Sequence, residues 1–366
     1  MIPFDLLRVA IGISDGSSLF VSAEEWQEFF LFCKKQALLG IGFSAVEKIG
    51  TCPKSLMLTW YGIVMQIQKR NLVMTQACKD VSEAFGKDGF RTCVLKGQGN
   101  LINYPEHLKN RRQSGDIDLW TSPMNGGNVE KQVIDYVRSK GTTQVGPNYL
   151  HIDMVWNGNI EVEVHYRPRF LVSPLRNHRI QKWANRVKDL CMSNMTKEGF
   201  AVPPTAVNVV YQMAHLFGHY FDEGLGMRQI VDYYFVLKDL NTNVPDTECQ
   251  RIKSVVLNDM KHFGFAKFAS AMMWVFSEVF AMPAEWAICK ANAKEGNKLL
   301  DEILLAGNFG KYDERGKGMK NGGMLRHGIW KLKRIMRLVS SYPETALWEP
   351  WFRVWHFFWR LVHKAN

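Results

Sequence analysis

Two stretches in which apolar and polar residues alternate, 149–156 and 160–166, flank Asn157-Gly158-Asn159. Asn-Gly favours the positive backbone φ angles of a tight hairpin turn, so the two stretches are expected to pair as antiparallel strands. An isolated hairpin is marginal in water, and more strands are therefore sought nearby. Residues 90–95 (Phe-Arg-Thr-Cys-Val-Leu) are β-prone and bounded by glycine. In Asp116-Ile117-Asp118-Leu119, two carboxylates alternate with two apolar residues, the pattern of a half-buried strand. Residues 129–140 read as a helix ending at Gly141. A small α/β unit is expected over residues 90–170.

Helical patterns flank this unit. Ser22-Ala23-Glu24-Glu25 supplies a cap residue and early acids, and Trp26, Phe29, Phe30 and Cys33 then share one helix face. A second helix is expected over 56–85, stopped by Gly86-Lys87-Asp88-Gly89. Helix returns at Pro203-Pro204-Thr205 and continues with few strand signals, interrupted by a glycine- and charge-rich stretch, 307–323, that reads as a mobile loop. The expected fold class is α+β, a small mixed sheet flanked by N-terminal helices and a C-terminal helical domain. The divisions expected are 1–89, 90–200 and 201–366. With 46% hydrophobic residues over 366 positions, the chain has ample material for a folded core and is not a disordered sequence.

The seven cysteines are widely spaced, odd in number and form no CxxC pair, so neither a disulfide framework nor a zinc ribbon is expected. They read as buried apolar residues of a protein in a reducing cytoplasm. The first residues carry no signal-peptide pattern. No uncharged apolar run approaches the roughly 18–20 residues of a membrane span, the nearest being 268–277.

Chemistry concentrates in the α/β unit. Asp116 and Asp118, at i and i+2 on a strand, present their carboxylates on one face. In Ile160-Glu161-Val162-Glu163-Val164-His165, the polar residues Glu161, Glu163 and His165 face together. If this arm lies beside the Asp strand, three carboxylates converge, and a divalent cation relieves their repulsion. Mg²⁺ takes oxygen ligands and shares them with substrate phosphates, and a pair of ions suits in-line phosphoryl displacement. Upstream, Lys96-Gly97-Gln98-Gly99 turns from strand to helix, where backbone N–H groups and the Lys96 charge would meet phosphate oxygens.

Strand, glycine turn, helix, D-h-D strand and h-E-h strand, in that order, resemble the polymerase-β-like nucleotidyltransferase superfamily. Leu95-Lys96-Gly97, Tyr104-Pro105, Arg112 before Asp116-Ile117-Asp118-Leu119, and Glu163-Val164-His165-Tyr166 resemble more closely an uncharacterised bacterial nucleotidyltransferase-like family. His215-Leu216-Phe217-Gly218-His219 and Arg228-Gln229-Ile230-Val231-Asp232 are similar to that family's helical-domain pattern. The resemblance implies Asp116, Asp118 and Glu163 as metal ligands and catalytic carboxylates. Glu163 is the third carboxylate that helps activate an acceptor hydroxyl, and Glu161 is its alternative. It also implies Mg²⁺, two ions, with Mn²⁺ as a substitute, and an NTP donor. Lys96, Gly97, Gln98, Gly99, Arg112 and His165 are the expected nucleotide-binding residues. Gln98 stands where the superfamily has a small residue, and the gap to Asp116 is longer than usual. These departures are the case for the alternative reading, a catalytically inactive nucleotide- or nucleic-acid-binding module.

Outside the core, His215 and His219 share a helix face without the acid of a zinc motif, so packing near an interdomain cleft is expected. Arg228 and Asp232 have the spacing of a helix ion pair, with substrate contact as the sharper alternative. Toward the C-terminus, Trp348, Trp351, Trp355, Trp359 and Val362 form a helical stripe, read as internal packing, a nucleic-acid platform or a membrane-surface helix. Lys331, Lys333, Arg334 and Arg337 make a basic cluster, either a solvated face or a polyanion patch. Residues 311–366 hold +8 of the formal net charge of +11, so the basic excess lies away from the acidic site. The acceptor is not specified by these residues: a small molecule, a protein and an RNA all fit them.

Overall fold

A computed structural model describes residues 2–141, 146–316 and 324–364. The chain runs α1 (Ile2–Ala10), α2 (Ala23–Gln36), α3 (Leu39–Ile49), α4 (Lys54–Lys87), β1 (Phe90–Leu95), the single turns α5 (Lys96–Gly99) and α6 (Glu106–Lys109), β2 (Ile117–Pro123) and α7 (Val129–Ser139). Strands β3 (His151–Trp156) and β4 (Ile160–His165) form the hairpin expected at Asn157-Gly158. There follow α8 (Pro174–Ser193), α9 (Thr205–Asp222), α10 (Met227–Thr242), α11 (Asp246–Phe263), α12 (Ala266–Phe280), α13 (Ala293–Ala306), α14 (Met324–Leu338) and α15 (Pro343–Lys364). The fold is α+β, with a small mixed sheet and helices on both sides of it in sequence.

Local chemistry sets several of these boundaries. Ser22 Oγ accepts from the Glu25 backbone N–H while the Glu25 carboxylate accepts from that of Ser22, a capping box that starts α2. Trp26, Phe29 and Cys33 then bury the face expected from their spacing. Helix α3 contains Gly40 and Gly42, which lower helix propensity. Gly40 is needed because a Cβ there would lie 2.0 Å from the Arg111 carbonyl oxygen.

The sheet order is β1-β2-β4-β3, with β1–β2 and β4–β3 antiparallel and β2–β4 parallel. One face packs on the second half of α4 and on α7: Val94, Ile117, Leu119, Val162 and Val164 meet Cys78, Val81 and Val137. The opposite face carries Cys93, Leu95 and Trp120 into a second, larger core that includes residues of α8–α13. This larger core also contains α1–α3 residues. Arg8 donates to the Val279 carbonyl, and Gln36 bonds both the Ile303 carbonyl and the Met227 N–H. The N-terminal helices therefore pack with the C-terminal ones, and α4, about 50 Å long by its helical rise, reaches from that core to the underside of the sheet.

All seven cysteines are free thiols, five of them buried. Of the stretch read as a mobile loop, residues 307–316 form two short 3-10 turns with Asp313 bonded to Arg315, and 317–323 lie outside the described residues. Among the described residues no helix is long and apolar enough to cross a membrane.

Candidate active site

Register brings the acids together. Asp118 on β2 is the direct partner of Leu95 on one side and of Glu163 on the other, and Glu163 in turn faces Asp153 on β3. Asp116 stands one residue before β2 begins and is exposed, whereas Asp118 is buried. Asp116, Asp118 and Glu163 offer carboxylate oxygens that all lie within 4.8 Å of one another. Glu161, on the same face two residues earlier, is exposed and outside this group.

Two cations hold the buried end of the cluster. Lys96 Nζ is 2.5 Å from Asp118 Oδ1. His165 Nε2 donates to Asp118 Oδ1 at 3.0 Å and to Glu163 Oε2 at 3.1 Å, while its Nδ1 faces the Arg167 carbonyl at 3.3 Å. Every partner of the ring is an acceptor, so the doubly protonated imidazolium fits. Burial works against its charge, but the Asp118 and Glu163 bonds outweigh burial and raise the pKa to about 9. Burial likewise opposes ionisation of Glu163, and the His165 bond with the Lys96 and His151 charges brings its pKa down to about 2. Lys96 is disfavoured by burial yet held firmly protonated by Asp118. Lys96 also has a positive φ of 46°, an uncommon conformation for a side-chain-bearing residue and one that recurs at functional sites. Three carboxylates against two cations leave a negative residue of charge among oxygen donors, which fits a hard divalent ion.

A second metal-capable group, His151, Glu163 and His165, shares Glu163 with the first. His151 Nδ1 is 3.3 Å from Glu163 Oε2, and its ring meets that of His165 edge-on.

The cluster floors a cleft of about 500 Å³. Tyr211, His215 and His219, one face of α9, form a wall, with the His215 and His219 rings 4.3 Å apart. Arg169 enters beside Gly218, where a Cβ would collide with its guanidinium, and its Nε has no hydrogen-bond partner. Phe352, Arg353 and His356 of α15 close the far side.

The model of the uncharacterised nucleotidyltransferase family matches residues 22–281. The chain belongs to that family. No curated protein and no solved structure matches it. The family region of this nucleotidyltransferase-family chain runs from the α2 cap through α12, and so takes in the three carboxylates and the α9 wall.

Lys96, Asp116, Glu163, His165, His215 and His219 line one cleft, and Asp118 touches Lys96 and His165 behind them. The remaining expected residues are placed elsewhere. Gln98 turns away from the cleft and bonds Thr75 Oγ1 and Asn71 Oδ1 on α4. Gly99 is required by packing, since a Cβ would lie 2.4 Å from the Val94 carbonyl oxygen. Gly97, at φ 39°, shapes the turn. Arg112, expected to meet phosphate, is instead buried against α10: Nε and Nη2 bond both oxygens of Asp232 at 2.7 and 2.8 Å, and the Tyr104 hydroxyl donates to the same carboxylate. The expected Arg228–Asp232 pair is thereby replaced, and Arg228 Nη1 donates to the Gln113 carbonyl at 2.8 Å. Arg112 and Asp232 fasten the segment leading into Asp116 onto the helical layer.

His151, Arg169 and Tyr211 were not anticipated. The hairpin register places His151 opposite His165, and Tyr211, His215 and His219 repeat every four residues, so two of the three had a readable signal. Arg169 follows β4 in irregular chain and had none.

Proposed function

We propose that the protein transfers a nucleoside monophosphate from an NTP to an acceptor oxygen. The acceptor oxygen forms a bond to the α-phosphorus, a hydroxyl acceptor losing its proton to solvent water; the bond from that phosphorus to the bridging oxygen breaks, and pyrophosphate departs with the electron pair. The observation that carries this reading is the approach of Asp116, just before β2, Asp118 on β2 and Glu163 on the adjacent parallel β4 at the floor of a cleft. These residues would hold Mg²⁺. When bound, the ion supplies charge neutralisation to the triphosphate and the leaving pyrophosphate.

The chain's own groups take complementary parts. Lys96 sets a fixed positive charge beside the carboxylates, and Arg169 brings a guanidinium with an unused Nε into the same cleft. Both suit phosphate oxygens. His165 orients Asp118 and Glu163 by bonding both. Glu163 is more acidic than an ordinary carboxylate, which makes it a better ligand and hydrogen-bond acceptor for the incoming hydroxyl than a proton store.

The departures that favour a binding-only module have a structural setting. Gln98 points into the protein rather than the cleft. The long gap before Asp116 contains a short 3-10 turn, α6 and the Arg112 anchor. The test is pyrophosphate release from each of the four NTPs with Mg²⁺ and pooled acceptors. Asp116→Asn and Asp118→Asn should each reduce release by about 100-fold or more, the scale of losing an electrostatic stabiliser. Equal release by the wild type and both variants contradicts the assignment. Nucleotide binding unchanged by chelator, with no product, supports the binding module.

A further inference from the structure

Helix α15 turns its apolar side to solvent. Leu347, Trp351, Trp355, Phe358, Leu361 and Val362 lie on one half of the helix and are 44–71% exposed. The charged residues between 347 and 362 are Glu349, Arg353 and Arg360, and they fall on the other half. Glu349 is buried, and Arg353 bonds Asp222 and Glu349. That inner half also packs Phe352 against Phe170 and Tyr149 and brings His356 to the Tyr149 N–H. The inner face thus satisfies the fold; on the outer half Trp355 also meets the Tyr149 ring edge-on, while Leu347, Trp351, Phe358, Leu361 and Val362 keep more than half of their surface exposed.

Helix α14 extends the surface. Ile329, Leu332 and Met336 are exposed, together with Lys333 and Arg337. Two members of the predicted basic cluster turn inward instead: Lys331 and Arg334 bond the Asp222, Phe221 and Tyr220 carbonyls and cap the C-terminus of α9. Lys333 shares the exposed side of α14 with Ile329 and Met336, and Arg337 is exposed one turn further on, where it also lies 4.0 Å from Asp313.

We propose that the outer face of α15, together with the exposed basic residues of α14, docks the protein onto an anionic lipid surface, with α15 lying in the interface. Tryptophan-rich apolar faces beside lysine and arginine partition to the headgroup boundary. The exposed charges of Lys333 and Arg337 attract anionic headgroups and disfavour a second copy of the same surface. The surface lies wholly beyond the family-matched residues 22–281. Because the inner face of α15 supplies Phe352, Arg353 and His356 to the cleft wall, docking would set the cleft beside the lipid.

The experiment is co-sedimentation of the full chain with vesicles of phosphatidylcholine plus phosphatidylglycerol, and with phosphatidylcholine alone, followed also by tryptophan emission. The variants are Trp351→Glu with Phe358→Glu, and Lys333→Glu with Arg337→Glu, each checked for an unchanged thermal melt and elution volume. The wild type should pellet with the anionic vesicles with blue-shifted emission, and added salt should release it. Each double variant should bind at least about tenfold more weakly. Wild type remaining in the supernatant, equal pelleting with neutral vesicles, or wild-type binding by the aromatic variant would overturn the proposal. A dimer dissociated by the aromatic variant, without vesicle binding, would assign the face to a second copy.

Discussion

Lys96, Asp118, Glu163 and His165 form a chain of charge-assisted contacts in which each buried charge has an opposite neighbour. The α9 histidines above them are different. His215 is buried, and burial together with the Lys96, His219, Arg169 and His165 charges lowers its pKa well below 6.5. His219 is lowered to about 3 by burial and by Lys96 and Arg169, against which Asp222 and Asp118 act weakly. Both are neutral in the folded chain and protonate in the unfolded chain as pH falls through about 6.5, so their contribution to stability falls as pH drops below 6.5, continuing toward about 3 for His219. Thermal melts should therefore decline between pH 7 and pH 5, and His215→Gln should flatten the decline. A wild-type melt that is level across this range would refute the neutral-histidine account. At this scale the acids were legible because a period of two fixes their face. Arg112 was not, because its partner Asp232 lies 120 residues away and only tertiary packing joins them. Removing either member would strand a buried charge, at a cost of about 3–5 kcal/mol.

The strands were the most legible elements, since Asn157-Gly158 fixed the hairpin and alternation fixed its faces. Helix α3 was not, because Gly40 and Gly42 weaken the local helix signal and are explained only by close contacts with Arg111 and Cys33. The same logic governs the α5 turn that holds Lys96 in place. Gly99→Ala forces a Cβ against the Val94 carbonyl and should cost about 1–3 kcal/mol in chemical denaturation. Gly86→Ala in α4, where a Cβ meets nothing within 4 Å, should be neutral or stabilise by about 0.4–1 kcal/mol. Equal effects of the two changes would show that the α5 turn is not set by this close approach. In α15 the aromatic stripe was visible in sequence. Which side it faced was not, because helical spacing defines a face without saying what covers it.

Across the molecule, the sheet lies between two apolar cores, one beneath it with α4 and α7 and one above it shared by the N- and C-terminal helices. The sequence divided the chain by texture, whereas packing joins α1–α3 to helices more than 200 residues away. The acidic cluster opens on the side where α9, Arg169 and α15 meet, so the cleft is lined by the α/β unit and the C-terminal helices. The proposed transfer depends on Asp116, Asp118 and Glu163 holding a divalent ion in that cleft for a nucleotide's phosphates. Its most direct test is anomalous diffraction from crystals of the protein with Mn²⁺ and a non-hydrolysable NTP. A manganese peak bounded by oxygens of Asp116, Asp118 and Glu163 is expected, with the triphosphate beside it and no such peak in Asp118→Asn. Ordered nucleotide with no manganese at these carboxylates, or manganese bound only elsewhere, would contradict it.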